Sequence, residues 1–126
     1  MKTLTVLCLS LISLAGCHSD RCQDCSNIWT DSSQRIIIAK TGGLIPQSQT
    51  YDYVRDALPA SAEDKLEAMR TVRAGTECWN DAFTYELTIV DGNGLEQKYF
   101  SDNSDCDGSV RSYVKTGEVE MLLGLF

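Results

Sequence analysis

The chain has little of the chemistry that most enzyme active sites require. Its 126 residues include one histidine, His18, which lies close to the N-terminus. A Ser-His-Asp or Cys-His site therefore has no credible general base. Zinc-protease, phosphate-loop and dinucleotide-binding motifs are also missing, and the carboxylates are scattered along the sequence. These absences indicate a binding protein rather than an enzyme, and no cofactor is expected.

Basic residues are scarce as well. The chain has 11 lysines and arginines against 18 aspartates and glutamates, which gives a formal net charge of −7 at pH 7. Because phosphate backbones are bound by clustered Lys and Arg, this balance argues against a nucleic-acid partner. It argues equally against electrostatic attraction to an anionic membrane surface.

Long hydrophobic runs are absent except at the N-terminus. The apolar stretch at residues 4–14 follows Lys2 and is too short to span a bilayer as a helix, but it has the length of a signal-peptide core. It leads into Leu14-Ala15-Gly16-Cys17, which resembles the bacterial lipobox. An ordinary secretory signal with a chance cysteine is the alternative. We therefore expect residues 1–16 to be a lipoprotein signal peptide and Cys17 to be the acylated N-terminus of the mature protein.

The sequence also predicts where the mature protein resides and how it is organised. The residue after Cys17 is His18 rather than aspartate, which favours the outer membrane by resemblance to Gram-negative sorting rules. Two or three acyl chains make such attachment stable, whereas one chain anchors weakly. The polar residues 17–33 are then a tether, and residues 34–126 form one domain, since the remaining length suffices for one core but not for two. We expect a monomer in the cell envelope.

Four cysteines remain after the signal peptide is removed and Cys17 is acylated: Cys22, Cys25, Cys78 and Cys106. In an oxidising compartment an even number of cysteines favours disulfides, and four cysteines allow three pairings. A redox role for Cys22 and Cys25 is disfavoured, because they lie in a polar segment and not between a strand and a helix.

Metal sites are possible alternatives that the sequence supports poorly. A zinc site with four cysteine ligands has close ligand spacing only in the pair Cys22 and Cys25. A calcium loop could begin at Asn103, with Asp105, Asp107 and Gly108, but Val114 occupies its closing ligand position and cannot ligate. No bound metal is therefore expected.

Two segments separated by glycines predict the first β-hairpin. Residues 35–40 contain three consecutive isoleucines, and residues 50–55 alternate in the manner of a strand. Gly42 and Gly43 lie between them and supply the positive φ angles that a chain reversal needs.

Two helices are predicted from apolar residues at helical spacing. The first covers residues 62–73, with Ser61 as its N-cap and Gly75 after its end; its apolar residues are Ala62, Leu66, Met69 and Val72. The second is a short C-terminal helix that covers the core with Val119, Leu122, Leu123 and Phe126.

The clearest strand pattern predicts a second hairpin. Residues 83–90 alternate apolar and polar side chains, residues 91–94 form a turn, and residues 95–101 return. Pairing Ile89 with Leu95 brings apolar side chains together and sets Glu86 opposite Lys98, whereas a shift of one residue does neither. Extended beyond the hairpin, this register places Cys78 opposite Cys106 and predicts a disulfide between them. The two cysteines that remain, Cys22 and Cys25, are then expected to pair with each other. The fold class is thus α+β, with a small antiparallel sheet of about four strands in two hairpins.

The order of these features is similar to that of the emfourin family, small inhibitors of thermolysin-like metallopeptidases. The matching residues are Ile36-Ile37-Ile38, Thr41-Gly42-Gly43, Leu58-Pro59, Leu66 with Met69, and Asp81-Ala82-Phe83-Thr84-Tyr85-Glu86-Leu87-Thr88. The resemblance covers nearly all of the predicted domain. It implies a compact α+β domain that blocks a zinc protease without being an enzyme. The lipobox and the cysteines depart from the family pattern, and they put the target in doubt.

Two functions from different classes follow from these observations. In the first, the loop of Gly42, Gly43, Leu44 and Ile45 enters the cleft of a secreted metallopeptidase and inhibits it; the alternative for this loop is that Leu44 and Ile45 pack against the core. In the second, the protein is a pilotin-like assembly lipoprotein of the outer membrane that binds an envelope protein. An exposed loop favours the first function, and an exposed groove beside the helix favours the second.

Overall fold

The computed structural model describes residues 25–45, 47–72, 78, 82–104 and 111–126. The predicted signal peptide, the acylation site Cys17 and the cysteine Cys22 lie outside these residues. The elements in chain order are β1 (Ser33–Gly42), β2 (Gln47–Val54), a 3-10 turn (Arg55–Ala57), α1 (Ala60–Ala68), β3 (Phe83–Asp91), β4 (Glu96–Ser101), β5 (Tyr113–Val114) and α2 (Thr116–Leu123). The α+β class is confirmed. Within these ranges no helix has the length and hydrophobicity needed to cross a bilayer.

The five strands form one mixed sheet in the order β2-β1-β3-β4-β5. Strands β1 to β4 pair antiparallel, as predicted, but β5 pairs parallel with β4. The prediction of about four antiparallel strands was therefore wrong at this edge. Strand β5 has two residues, which is too short for any hydrophobic alternation, and it is held by long-range bonds such as the one from the Asp102 N–H to the Val114 carbonyl (2.9 Å).

The register of β3 and β4 differs from the predicted one by two residues. Ile89 lies opposite Gln97, and Thr88 lies opposite Lys98. The Asp91 carboxylate accepts hydrogen bonds from the N–H groups of Asn93 and Leu95, at 2.8 and 3.0 Å, so Leu95 belongs to the turn and not to β4. A shift of two residues leaves every side chain on the same face of the sheet, so the apolar pattern cannot distinguish the two registers.

The core lies between one face of the sheet and the two helices. Its buried side chains from the sheet include Ile36, Ile38, Tyr85, Leu87, Ile89 and Tyr99, and those from the helices are Ala62, Leu66, Val119 and Leu122. The opposite face carries ion pairs between neighbouring strands, Arg35 with Asp52 and Lys98 with Glu86. This polar face needs no second layer, because cross-strand charge pairs keep it solvated.

Helix α1 is shorter than the predicted helix over residues 62–73. The helix ends at Ala68, and Met69 is extended and buried. The chain then forms backbone bonds to distant segments, from the Thr71 N–H to the Ser26 carbonyl (2.9 Å) and from the Val72 N–H to the Tyr113 carbonyl (2.8 Å). Met69 and Val72 therefore follow the helical spacing without being helical, since tertiary bonds replace the last turn.

The predicted tether contributes to the core, so the boundary between residues 33 and 34 was placed too late. Ile28 and Trp29 each have 2% of their surface exposed and belong to the core cluster. Arg55 fixes this segment by donating hydrogen bonds to the carbonyls of Thr30 (2.9 Å) and Ser33 (2.7 Å). The folded unit thus begins by about Ser26.

Candidate functional site

The β1–β2 turn presents the most exposed large apolar side chains of the described residues. Leu44 is 90% exposed and Ile45 is 74% exposed. Gly42 and Gly43 precede them with φ angles of 104° and 93°, a region that glycine enters at little cost. The loop predicted as a contact site therefore projects into solvent, and Leu44 and Ile45 do not pack against the core. We call the residues Gly42, Gly43, Leu44 and Ile45 the tip.

The backbone of the tip lies close against the start of β3. A Cβ atom on Gly42 would be 2.7 Å from the Ala82 carbonyl oxygen, a contact too short to exist. A Cβ atom on Gly43 would lie 3.1 Å from two ring carbons of Phe83. Close approach therefore excludes a larger residue at position 42, and the φ angle favours glycine at both positions; the base of the tip packs closely on the sheet.

The base of the tip also carries a cation over an aromatic ring. The Lys40 Nζ atom lies 4.1 Å from the centroid of the Phe83 ring, a favourable cation–π distance. Between Arg35 and Asp52 the sequence contains no charged residue other than Lys40. In a chain with net charge −7, this end of the hairpin is therefore neutral to slightly positive.

A cleft lies at the end of the sheet opposite the tip, on the face of the sheet that packs against the core. It is bordered by the N-terminal segment and the β3–β4 hairpin, and its lining includes Asn27, Ile28, Thr30, Ile89, Leu95 and Tyr99. The only carboxylate among its lining residues, that of Asp91, accepts the two turn hydrogen bonds described above. No residue of α1 lines it, so it is not the groove beside the helix that an assembly role predicts.

The shifted pKa values among the described residues are explained by burial and by ion pairing. Burial raises the pKa of Tyr99 and that of Tyr85, which also lies near the carboxylate of Glu120. The hydrogen bond from Arg35 lowers the pKa of Asp52, on the open face of the sheet. Each shift has a structural cause, which is burial for the two tyrosines and the hydrogen bond from Arg35 for Asp52.

Metal ligands do not cluster within the described ranges, where no group of three or more His, Cys, Asp or Glu side chains is found. Asn103, the first residue of the calcium-loop alternative, has its amide engaged in the protein. Its Oδ1 accepts a hydrogen bond from the Ser101 hydroxyl (2.7 Å), and its Nδ2 donates one to the Phe83 carbonyl (2.9 Å). Asp105, Asp107 and Gly108 lie outside the described residues.

No protein-family model matches this chain. No curated protein and no solved structure matches it at a significant level either. The comparisons therefore give no information about what the tip binds.

The residues that support the tip were not found by the sequence analysis. Phe83 was predicted only as a core-facing strand residue and Lys40 only as the end of a strand. The sheet places Phe83 opposite Gly42 through the non-sequential pairing of β1 with β3. The sequence does show that Lys40 is the one charged residue between Arg35 and Asp52. Its contact with the Phe83 ring could not be predicted, because that contact depends on the long-range pairing of β1 with β3.

The predicted disulfides fall mostly outside the described residues. Cys78 takes part in a disulfide, and its backbone forms an isolated bridge with Ser104. Because the predicted register was wrong, Cys78 is not aligned with Cys106 by extrapolation of the β3–β4 hairpin. Cys106 is nevertheless only two residues from Ser104, the bridge partner of Cys78. The pairing of Cys78 with Cys106 therefore stays a prediction, and so does the pairing of the remaining cysteines, Cys22 with Cys25.

Peptide mapping without reduction is expected to recover Cys78 joined to Cys106. A bridge that closes a loop of this length contributes on the order of 3 to 4 kcal/mol to folding when it is unstrained. Mass spectrometry of the same digest after reduction is the control, since the joined peptide must disappear. A peptide that joins Cys78 to Cys22 would show that the N-terminal segment is bonded to the segment that precedes β3 instead.

Proposed function

We propose that this protein is a lipid-anchored, non-enzymatic domain that inhibits a thermolysin-like zinc metallopeptidase by inserting the tip into its cleft. The observation that carries the proposal is the pair Leu44 and Ile45, almost fully exposed at the end of an ordered hairpin. Exposed apolar side chains of this size cost solvation free energy unless a partner covers them. Their position at a narrow turn suits a concave partner.

The chemistry of such an enzyme fits the tip. A thermolysin-like peptidase prefers bulky apolar residues next to the scissile bond, and its catalytic zinc lies in a cleft. Burying an aliphatic side chain of the size of leucine contributes about 1.5–3 kcal/mol. Because the glycines of the tip are already packed against β3, little conformational entropy is lost when the partner binds.

The resemblance to the emfourin family supports the same proposal. The isoleucine run and Gly42 lie on β1, Gly43 follows in the turn, and the segment that begins at Phe83 lies on the adjacent strand β3. Three of the matching motifs are thus on neighbouring parts of the sheet. Two of them, at Gly42 and at Phe83, lie at the end of the sheet that the proposal assigns to binding.

Leu44→Ala and Ile45→Ala are each expected to weaken inhibition by at least about 1 kcal/mol, or fivefold or more, because interface energy concentrates in a few buried anchors. The inhibition constant of each variant is measured by titration against thermolysin and against a metallopeptidase of the same cell. Neither substitution should lower stability noticeably, since both side chains are exposed in the free protein.

Leu95→Ala is the matched control, because Leu95 is a leucine of the other hairpin turn and is 68% exposed. It should leave the inhibition constant unchanged. Inhibition that survives both tip substitutions would reject the tip as the contact. If the folded wild-type protein inhibits neither enzyme at micromolar concentration, the inhibitor proposal fails and binding to an envelope protein in a pilotin-like role takes its place.

A further inference from the structure

We propose that Phe83 is a positioning residue that holds the tip in one conformation, with Lys40 fixing its ring. The effect of Phe83 on inhibition rests on the proposed function. Its effect on the conformation of the tip can be tested without any target enzyme. The geometry that carries it is the contact of one aromatic ring with two parts of the hairpin. A Cβ atom on Gly43 would lie 3.1 Å from two carbons of the ring, so the Gly43 backbone passes close to it, and the Lys40 ammonium lies 4.1 Å from the ring centroid.

The backbone of Phe83 is itself held by residues at the end of the neighbouring strand β4. The Phe83 carbonyl accepts a hydrogen bond from the Asn103 side chain, and Asn103 accepts one from the buried Ser101 hydroxyl. That hydroxyl in turn accepts a bond from the Tyr85 N–H (2.9 Å). A continuous set of contacts thus runs from the end of β4 through Phe83 to the tip, and it leaves the start of β3 little freedom to move.

The tip needs such support because its own composition favours mobility. Two consecutive glycines have more accessible backbone conformations than any other pair, so an unsupported turn would sample many states. A mobile loop with leucine and isoleucine is a good protease substrate, since cleavage requires the chain to adapt to the active site. A tip fixed by Phe83 can occupy a cleft and resist cleavage, which is the difference between an inhibitor and a substrate.

Phe83→Leu tests this role, because it keeps an apolar side chain of similar size but removes the flat ring. The full processed chain is incubated with chymotrypsin, a serine protease unrelated to the proposed target, and cleavage after Leu44 is followed by mass spectrometry. Cleavage at this bond is expected to become at least about tenfold faster, because local opening of the tip becomes more frequent. Lys40→Met, which keeps the apolar stem but deletes the charge, should produce a smaller increase in the same direction.

Phe100→Leu is the matched control. Phe100 is also half-buried on the sheet and lies under a cation, with the Arg111 guanidinium 4.7 Å from its ring, but it lies on β4, which is not paired with either strand of the hairpin that carries the tip. It should leave cleavage after Leu44 unchanged. Equal rates for Phe83→Leu and the wild type, with both folded, would overturn the inference.

A second measurement separates this inference from the proposed function. If the wild type inhibits a metallopeptidase, Phe83→Leu should raise the inhibition constant about tenfold or more and should itself be cut between Gly43 and Leu44. Unchanged inhibition by a variant with a loosened tip would show that positioning has no role in binding. If the wild type inhibits nothing, the function fails, and cleavage by chymotrypsin alone still decides whether Phe83 orders the tip.

Discussion

Replacing Cys17 with serine is expected to release the protein completely from the membrane fraction. The lipobox predicts that the thiol of Cys17 carries the diacylglycerol, and a serine hydroxyl does not replace it in that linkage. Two or three acyl chains hold the wild type stably, whereas the domain without them has a net negative charge that anionic lipids do not attract. Membrane and soluble fractions are compared by immunoblot, and the mature N-terminus is examined by mass spectrometry.

Cys8→Ser provides the matched control for this substitution. Cys8 lies within the apolar stretch of the signal peptide, so its replacement should leave both acylation and membrane attachment intact. A wild-type protein in which Cys17 is internal or carries no fatty acid would contradict the lipoprotein assignment. In that case the chance-cysteine alternative holds, and the domain is an ordinary secreted protein.

Arg55→Met is expected to lower the free energy of unfolding by about 3 kcal/mol, the largest loss expected for any charged residue described. The guanidinium donates to the carbonyls of Thr30 and Ser33, pairs with Glu63 at 2.7 Å and lies 5.2 Å from the centre of the Trp29 ring. Its removal deletes all of these interactions at a site where only about a fifth of the arginine side chain is exposed. Urea denaturation followed by tryptophan fluorescence measures the loss.

Arg35→Met is the control, since it removes the same group from a different environment. The Arg35–Asp52 pair lies on the open face of the sheet with nearly half of each side chain exposed. Exposed ion pairs contribute little, so the midpoint of denaturation should change far less than in Arg55→Met. Equal effects of the two substitutions would show that residues 26–33 do not depend on Arg55, and that the folded unit begins later in the chain.

Local patterns in the sequence predicted those parts of the fold that depend on neighbouring residues. The alternation over residues 83–90 identified the strand and the face it buries, and Tyr85, Leu87 and Ile89 are in the core as that pattern requires. Gly42 and Gly43 identified the hairpin turn, because few other residues adopt positive φ angles. The turn left open whether Leu44 and Ile45 are exposed or pack against the core, and the structure decided that they are exposed.

Long-range bonds decided the parts that the sequence analysis missed. Helix α1 ends at Ala68 because the next residues bond to Ser26 and Tyr113, and no local signal marks those partners. Ile28 and Trp29 belong to the core because Arg55 holds their segment, although the surrounding residues are as polar as a linker. Strand β5 is held by its pairing with β4 and by the bond from Val72 to Tyr113.

By itself the sequence determined the α+β class, the faces of the strands and the position of the glycine turn, since each depends on residues a few positions apart. Only the tertiary structure decided the register of β3 with β4, because registers two residues apart bury the same side chains and differ only in the turn that closes them. It also decided the surroundings of the tip. Phe83 lies beside Gly43 because β1 pairs with β3, about 40 residues away, and such pairing is fixed by the packing of the whole sheet.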